Sequence, residues 1–122
     1  MVEPQKEPSG FSRELRLLDS QDFSRVFKNP VRVANKAFTL LACSNGLGRP
    51  RLGLAIAKKQ VKRAVDRNTI KRKLRNSFRL KQNELPACDF VVMVRRDINS
   101  MDRKQMDSAL SHLWQQVCKR CR

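Results

Sequence analysis

Lys58-Lys59-Gln60-Val61-Lys62-Arg63-Ala64-Val65-Asp66-Arg67-Asn68-Thr69-Ile70-Lys71-Arg72-Lys73-Leu74-Arg75-Asn76-Ser77-Phe78-Arg79 is the stretch from which the rest of the chain is read. From Asp66 onward, Ile70, Leu74 and Phe78 recur every four positions, a spacing that puts them on one stripe of a helix. At about 100° per residue, Asn68, Lys71, Arg72, Arg75 and Arg79 gather on a neighbouring face. One face therefore docks on a core while another presents fixed cationic groups to solvent. Asp66 is the predicted N-cap, its carboxylate accepting from free amides of the first turn. Leu85-Pro86 is the predicted stop. Val61, Ala64 and Val65 do not continue the stripe and read as an entry turn. A merely solvated helix face mixes charges of both signs at i,i+4. Between Lys58 and Lys81 the only acid is Asp66. Like charges this dense are tolerated where a polyanion neutralises them.

Working outward, 122 residues make one domain with a small core. A formal charge of +16 is the electrostatic footprint of a nucleic-acid partner, although charge alone does not separate RNA from DNA. Residues 1–10, with two prolines, Glu3 and Glu7, read as a flexible N-terminal segment without the apolar core of a signal peptide. No apolar run approaches the ~20 residues needed to span a bilayer, and a cytoplasmic location is expected. Of the four cysteines, Cys43 and Cys88 lie in or beside apolar runs and are expected to pack as small hydrophobes. Cys118-x-x-Cys121 lacks a second CxxC, so free thiols and no metal are expected.

Towards the N-terminus, a short helix is predicted from Asp19 or Ser20 to just before Asn29-Pro30, with Phe23, Val26 and Phe27 as its apolar stripe. Residues 31–34 read as a short strand. Residues 38–43 read as a second strand, with Phe38, Leu40 and Ala42 on one face and Thr39, Leu41 and Cys43 on the other. The turn residues at 44–50 predict a hairpin to a third strand, 51–57. That strand sets Leu52, Leu54 and Ile56 against the small residues Gly53, Ala55 and Ala57. After the basic helix, Asp89-Phe90-Val91-Val92-Met93-Val94 is apolar on both faces and reads as a central, doubly covered strand. In the last helix Met106, Leu110, Leu113, Trp114 and Val117 form the stripe. Asp102-x-x-Gln105 fits a capping box, with Met101 and Met106 as its hydrophobic staple. His112, the single histidine, lies off the stripe. The order gives an α+β fold, a sheet of about four strands covered by helices, with a βαβ unit from 51–57 through the basic helix to 89–95.

The acids are scattered, with no D-x-D or H-x-x-E pattern and no Ser/His/Asp arrangement, so the chain is expected to bind nucleic acid without itself breaking bonds. A ribosomal or DNA-architectural protein shares the charge, and a protein-only nuclease needs carboxylates not found here.

Arg51-Leu52-Gly53-Leu54-Ala55-Ile56-Ala57-Lys58-Lys59 followed by Ala64-Val65-Asp66-Arg67-Asn68-Thr69-Ile70-Lys71-Arg72-Lys73-Leu74-Arg75 resembles the signature of the bacterial ribonuclease P protein component. That signature is a G-h-x-h-x-K-K strand end and then A-V-x-R-N-R-h-K-R-x-h-R. The resemblance runs over about 11–117 and takes in Phe23, Val26, Phe27, Val33-Ala34-Asn35 and Asp89-Phe90-Val91. Leu15-Arg16-Leu17 and Glu84-Leu85-Pro86 look most like the gamma-proteobacterial branch. Thr69 departs from the pattern, replacing the second arginine of Arg-Asn-Arg.

The resemblance implies a four-stranded mixed sheet in αβββαβα order with a left-handed βαβ crossover, against the usual handedness. It makes 11–122 a single RNA-binding domain. It implies a heterodimeric ribonucleoprotein with the catalytic RNA of ribonuclease P, contacted by Lys58, Lys59, Arg63, Arg67, Asn68, Arg72 and Arg79. The single-stranded 5′ leader of precursor tRNA would lie along Phe23, Phe27, Leu41, Lys71 and Arg75. An aromatic residue frequent at the Leu41 position is absent here. The protein subunit would bind no cofactor of its own; the RNA subunit, with Mg²⁺, would hydrolyse the phosphodiester. Two readings of Phe23 and Phe27 stand at this point: rings buried in core, or rings offered to bases.

Overall fold

A computed structural model describes residues 20–28, 30–46 and 48–120. The expectations for segment 1–10, for Asp19 as a cap and for Cys121 lie outside those residues. The elements run α1 (Ser20–Lys28), β1 (Val31–Ala34), β2 (Phe38–Ser44), β3 (Arg51–Ala55), α2 (Ala64–Lys81), β4 (Cys88–Val94) and α3 (Arg103–Arg120), with a 3-10 helix, Arg96–Ser100, between β4 and α3. This is the expected αβββαβα order in a mixed four-stranded sheet.

The sheet order is β1-β2-β4-β3. β4 runs antiparallel to β2 and parallel to β3, with Arg51 opposite Asp89 and Ala55 opposite Met93. The expected hairpin between β2 and β3 is therefore corrected: the two are not neighbours, because β4 lies between them. The physical reason is the pattern of β4 itself. Apolar on both faces, it is fully covered only in the middle of a sheet. The connection after β2 turns with Gly46 at φ 67° and Gly48 at φ 78°, left-handed positions that suit glycine. It carries the chain past the β4 position to the far edge.

Alternation divides the core into two unequal layers. On one face Phe38, Leu40, Ala42, Leu52, Phe90, Val92 and Val94 meet Ile70, Leu74 and Phe78 of α2 and Leu110, Leu113, Trp114 and Val117 of α3. On the other, Leu41 and Val91 meet Val26 of α1, with Phe23, Cys43, Ala55 and Met93 partly covered around them. α2 packs on β3 and α3, α3 on β1 and β2, and α1 on β2 and β4.

The α2 stripe is buried as its spacing predicts. Its start differs: Arg63 occupies the N-cap position with extended backbone and no side-chain cap bond, so the Asp66 cap is corrected. Asp66 instead lies in the first turn, where its carboxylate faces the positive end of the helix and sits 3.9 Å from Arg63 Nε. The strand predicted to 57 ends at Ala55, because the Ala57 carbonyl turns to accept from the amides of Gln60 (3.0 Å) and Val61 (3.1 Å). The α3 capping box is present: Gln105 N donates to Asp102 Oδ1 (2.8 Å) and Asp102 N to Gln105 Oε1 (2.9 Å). Among the described residues, no helix is long and apolar enough to cross a membrane.

Three rings join the main layer. Phe78 lies 6.4 Å from Phe90 and 6.0 Å from Trp114, and Phe90 and Trp114 are 6.2 Å apart, all tilted or edge-on. Trp114 Nε1 donates to Ser77 Oγ at 2.7 Å, so its one polar atom is satisfied. Phe78→Ala removes the ring common to α2, β4 and α3. It is expected to cost about 3–5 kcal/mol, read as a large drop in melting temperature; an unchanged one would refute the packing role of the stripe.

Candidate nucleic-acid interface

Opposite its buried stripe, α2 offers cations. Lys58, Lys59, Arg63, Asn68 and Arg72 are exposed, and Lys71, Arg75 and Arg79 are half-buried. The helix separates its charges by flank. Lys73 turns toward α3 and pairs with Asp107 at 2.7 Å, removing it from the basic face. Arg67 also differs from its neighbours: its guanidinium donates to the carbonyls of Val61 (2.9 Å) and Lys62 (2.8 Å) and fastens the entry turn. Arg79 donates to Asn76 Oδ1 at 2.9 Å, one turn back. Thr69, the departure from the signature, spends its hydroxyl on the Val65 carbonyl at 2.9 Å. The loop before α2 is braced from below, where Asn99 Nδ2 donates to the Gln60 carbonyl at 2.7 Å.

On the opposite face of the sheet, α1 covers β2 and β4 and leaves apolar side chains beside it partly exposed. Val26 is fully buried, Phe23 half-buried, and Phe27 47% exposed. At that exposure Phe27 is not a ring wholly buried in core. Leu41 is 6% exposed, leaving it little surface to offer a ligand; it serves as floor beneath α1. Along β3 the floor rises into solvent, from buried Gly53 through half-buried Ala55, beside Met93, to exposed Ala57. This increasingly exposed strip leads to the exposed Lys58 and Lys59. Lys71 and Arg75 project from α2, on the other side of the sheet from Phe23 and Phe27. They lie on the flank away from Lys73 and α3, and so above the β3 edge.

Sequence reasoning missed the group that holds this face together. Asp89 is fully buried. Its Oδ1 accepts from Arg51 Nε (2.8 Å) and Asn45 Nδ2 (2.9 Å), and its Oδ2 accepts from Arg51 Nη2 (2.8 Å) and Arg25 Nη2. Arg25 also donates to the Ser44 carbonyl at 3.0 Å. Both oxygens are doubly used, as a buried carboxylate requires. Burial opposes its ionisation, but hydrogen bonds from Arg51 and Asn45 and the charges of Arg51 and Arg25 outweigh burial and hold its pKa below the ordinary 3.8. A signal was available: an acid opening a doubly covered strand demands buried partners. Among the described residues, no group of three metal-ligating side chains occurs.

Residues 11–118 match the family model for ribonuclease P. The ribonuclease P protein component of Photorhabdus laumondii is 50% identical over 112 residues, covering 92% of this chain and 94% of that protein. That of Escherichia coli O157:H7 is 47% identical over the same shares. Among solved structures, a Staphylococcus aureus RNase P protein mutant with defective mRNA degradation activity superposes with a TM-score of 0.82 at 31% identity, covering 93% of this chain and 96% of that one. The RNase P protein from Thermotoga maritima gives 0.73 at 29% identity, over 84% and 96%.

The buried carboxylate also carries a pH signature. A folded pKa below 3.8 means that the unfolded chain binds more protons in the window beneath that value. The stabilisation is complete above 3.8 and is lost as pH falls through the folded value. Urea midpoints of the parent are expected to fall with acidification. Asp89→Asn is expected to be less stable at neutral pH yet to show a shallower acid dependence; an equally steep one would assign the titration to another carboxylate.

Proposed function

The chain belongs to the ribonuclease P protein family, and from that membership we propose that it is the protein subunit of ribonuclease P. It binds the catalytic RNA through the exposed face of α2 and the single-stranded 5′ leader of precursor tRNA in the groove beside α1. In doing so it assists removal of the leader to mature the tRNA 5′ end. The ribonucleoprotein is a cytoplasmic heterodimer of one RNA and one protein, and the RNA subunit with Mg²⁺ carries out the hydrolysis.

The observation that carries this reading is the division of labour between the two faces of the sheet. One face is closed by α2, whose outer side is a rigid array of cations spaced by helix geometry. A phosphate backbone neutralises such an array and releases its counterions. The other face is only partly closed and leaves Phe27 half in solvent above an apolar floor. Single strands are held by a positive groove with rings against which bases stack. Among the described residues, Asp89 is committed to arginines and Asp107 to Lys73, and Asp66 lies near Arg63. His112 stands exposed on α3. This supports leaving the chemistry to the RNA.

Arg72 is exposed and is the cleaner probe of the first contact, since replacing Arg67 also frees two carbonyls. Arg72→Ala is expected to weaken binding to the catalytic RNA and to reduce the slope of log affinity against log salt by roughly one contact, about 0.7 to 0.9. The melting temperature should not change; a lost fold would make the residue structural. Phe23→Ala is expected to cost about 1–3 kcal/mol in binding precursor tRNA to the reconstituted enzyme and little for mature tRNA, which has no leader. Equal losses for both would move the leader site elsewhere.

A further inference from the structure

We infer that Arg25 is a positioning residue for the leader groove: by gripping Asp89 and the Ser44 carbonyl it fixes the roll of α1, and so the height at which Phe23 and Phe27 stand above the sheet. The inference rests on the reading of that groove as the leader site.

α1 has nine residues, too few to hold a defined orientation by its own hydrogen bonds. Among the α1 residues whose burial is described, Val26 is the fully buried one, with Phe23 partly covered beside it. A helix resting on the sheet through a single buried residue is free to roll about that contact. At about 100° per residue, Arg25 lies to one side of Val26 and Phe27 the same angle to the other, with Phe23 between Val26 and Phe27. The guanidinium and the rings are thus the two arms of a lever pivoted on Val26. One arm is tied down. Arg25 reaches Asp89 on β4 and the last carbonyl of β2, two adjacent strands, through separate nitrogens. The anchor is itself immobile, because Asp89 is fully buried and Arg51 and Asn45 hold its other lone pairs.

The charge arrangement supports the same role. A carboxylate beneath a polyanion's groove would repel it. Arg25 and Arg51 together overcompensate Asp89, leaving the site net positive. Arg25 is 40% exposed and Arg51 15%. Removing Arg25 leaves Asp89 with its bidentate Arg51 partner, so the sheet survives while α1 is released.

The test is binding of precursor and mature tRNA to the enzyme reconstituted with its catalytic RNA, for Arg25→Ala, Asp89→Asn, the double variant and Phe23→Ala. Arg25→Ala is expected to lower precursor affinity roughly fivefold or more, the low end of losing one stacked base. Affinity for mature tRNA and for the catalytic RNA should not move. Asp89→Asn should change precursor affinity in the same direction, and the double variant should be no worse than the poorer single one. If Arg25 instead touches the leader itself, freeing it with Asp89→Asn would raise precursor affinity, and the positioning role is overturned. Equal loss for both tRNAs, or no loss, overturns it as well. Hydrogen exchange of the free protein covers the case in which Asp89→Asn does not fold. Arg25→Ala should speed exchange of the α1 amides while β4 and α2 keep their protection; unchanged α1 exchange overturns the inference. Phe23→Ala separates the two layers of argument. If it is selective for precursor and Arg25→Ala is not, only the positioning role fails; if it is not selective, the groove reading fails and takes the positioning role with it.

Discussion

A negative charge with no access to water must be surrounded by donors, and in this protein that requirement assembles one whole end of the sheet. Asp89 lies at the start of β4, Arg51 at the start of β3, Asn45 in the turn after β2, and Arg25 on α1. Of these four segments only the turn after β2 and β3 follow one another directly in the chain. Replacing the carboxylate strands two guanidiniums and loosens all four segments, whereas replacing Arg25 alone releases α1 and leaves Arg51 and Asn45 on Asp89. An apolar contact of the same size would tolerate sliding. A forked guanidinium on a fixed carboxylate does not.

Much of the architecture could be read from periodicity. The four-residue recurrence of Ile70, Leu74 and Phe78, the α3 stripe with its capping box and the two-faced pattern of β4 each report which side of an element is buried, and each side is buried as expected. Periodicity says nothing of which neighbour does the burying. For that reason the turn residues after β2 suggested a hairpin, although β4 takes the place beside β2. Cap residues were legible only where the side chain does the capping. Asp102 was, and the start of α2 at Arg63 was not, because backbone geometry alone sets it. At the candidate site, the cations of α2 were visible as a face, but not that Arg67 and Lys73 are otherwise engaged. Phe23, Val26 and Phe27 read as one stripe, whereas the sheet fully buries Val26 at one edge of it and leaves Phe27 at the other edge exposed. Arg25 and Asp89, 64 positions apart, carry no joint signal in a single sequence.

The distribution of charge follows from the same packing. With a formal +16 on 122 residues, self-repulsion opposes compaction. The fold answers by placing two of its acids where they bridge elements. Lys73–Asp107 joins α2 to α3, and Arg25 and Arg51 share Asp89. Exposed cations such as Arg72, Lys58, Lys59 and Arg63 then stand on the outer side of α2 and the loop before it. What reads in sequence as an undivided basic block is, in three dimensions, a structural flank and an exposed cationic flank of one helix.

The insertion of β4 between β2 and β3 sets an order in time. β1 and β2 are neighbours in sequence and pair with each other, so they can join as soon as both have been made. β3 has no such partner. Its only strand contact is with β4, and Arg51 meets Asp89 across 38 positions of chain. A nascent chain must therefore carry β3 and the whole of the basic helix unpaired until residues 88–94 emerge, with the sheet completed from the middle and late. Non-local pairing of this kind slows folding. During that interval a segment dense in lysine and arginine is held out as open chain beside the RNA-rich surface of the ribosome, so the rate at which β4 arrives governs how long those charges stay exposed to it.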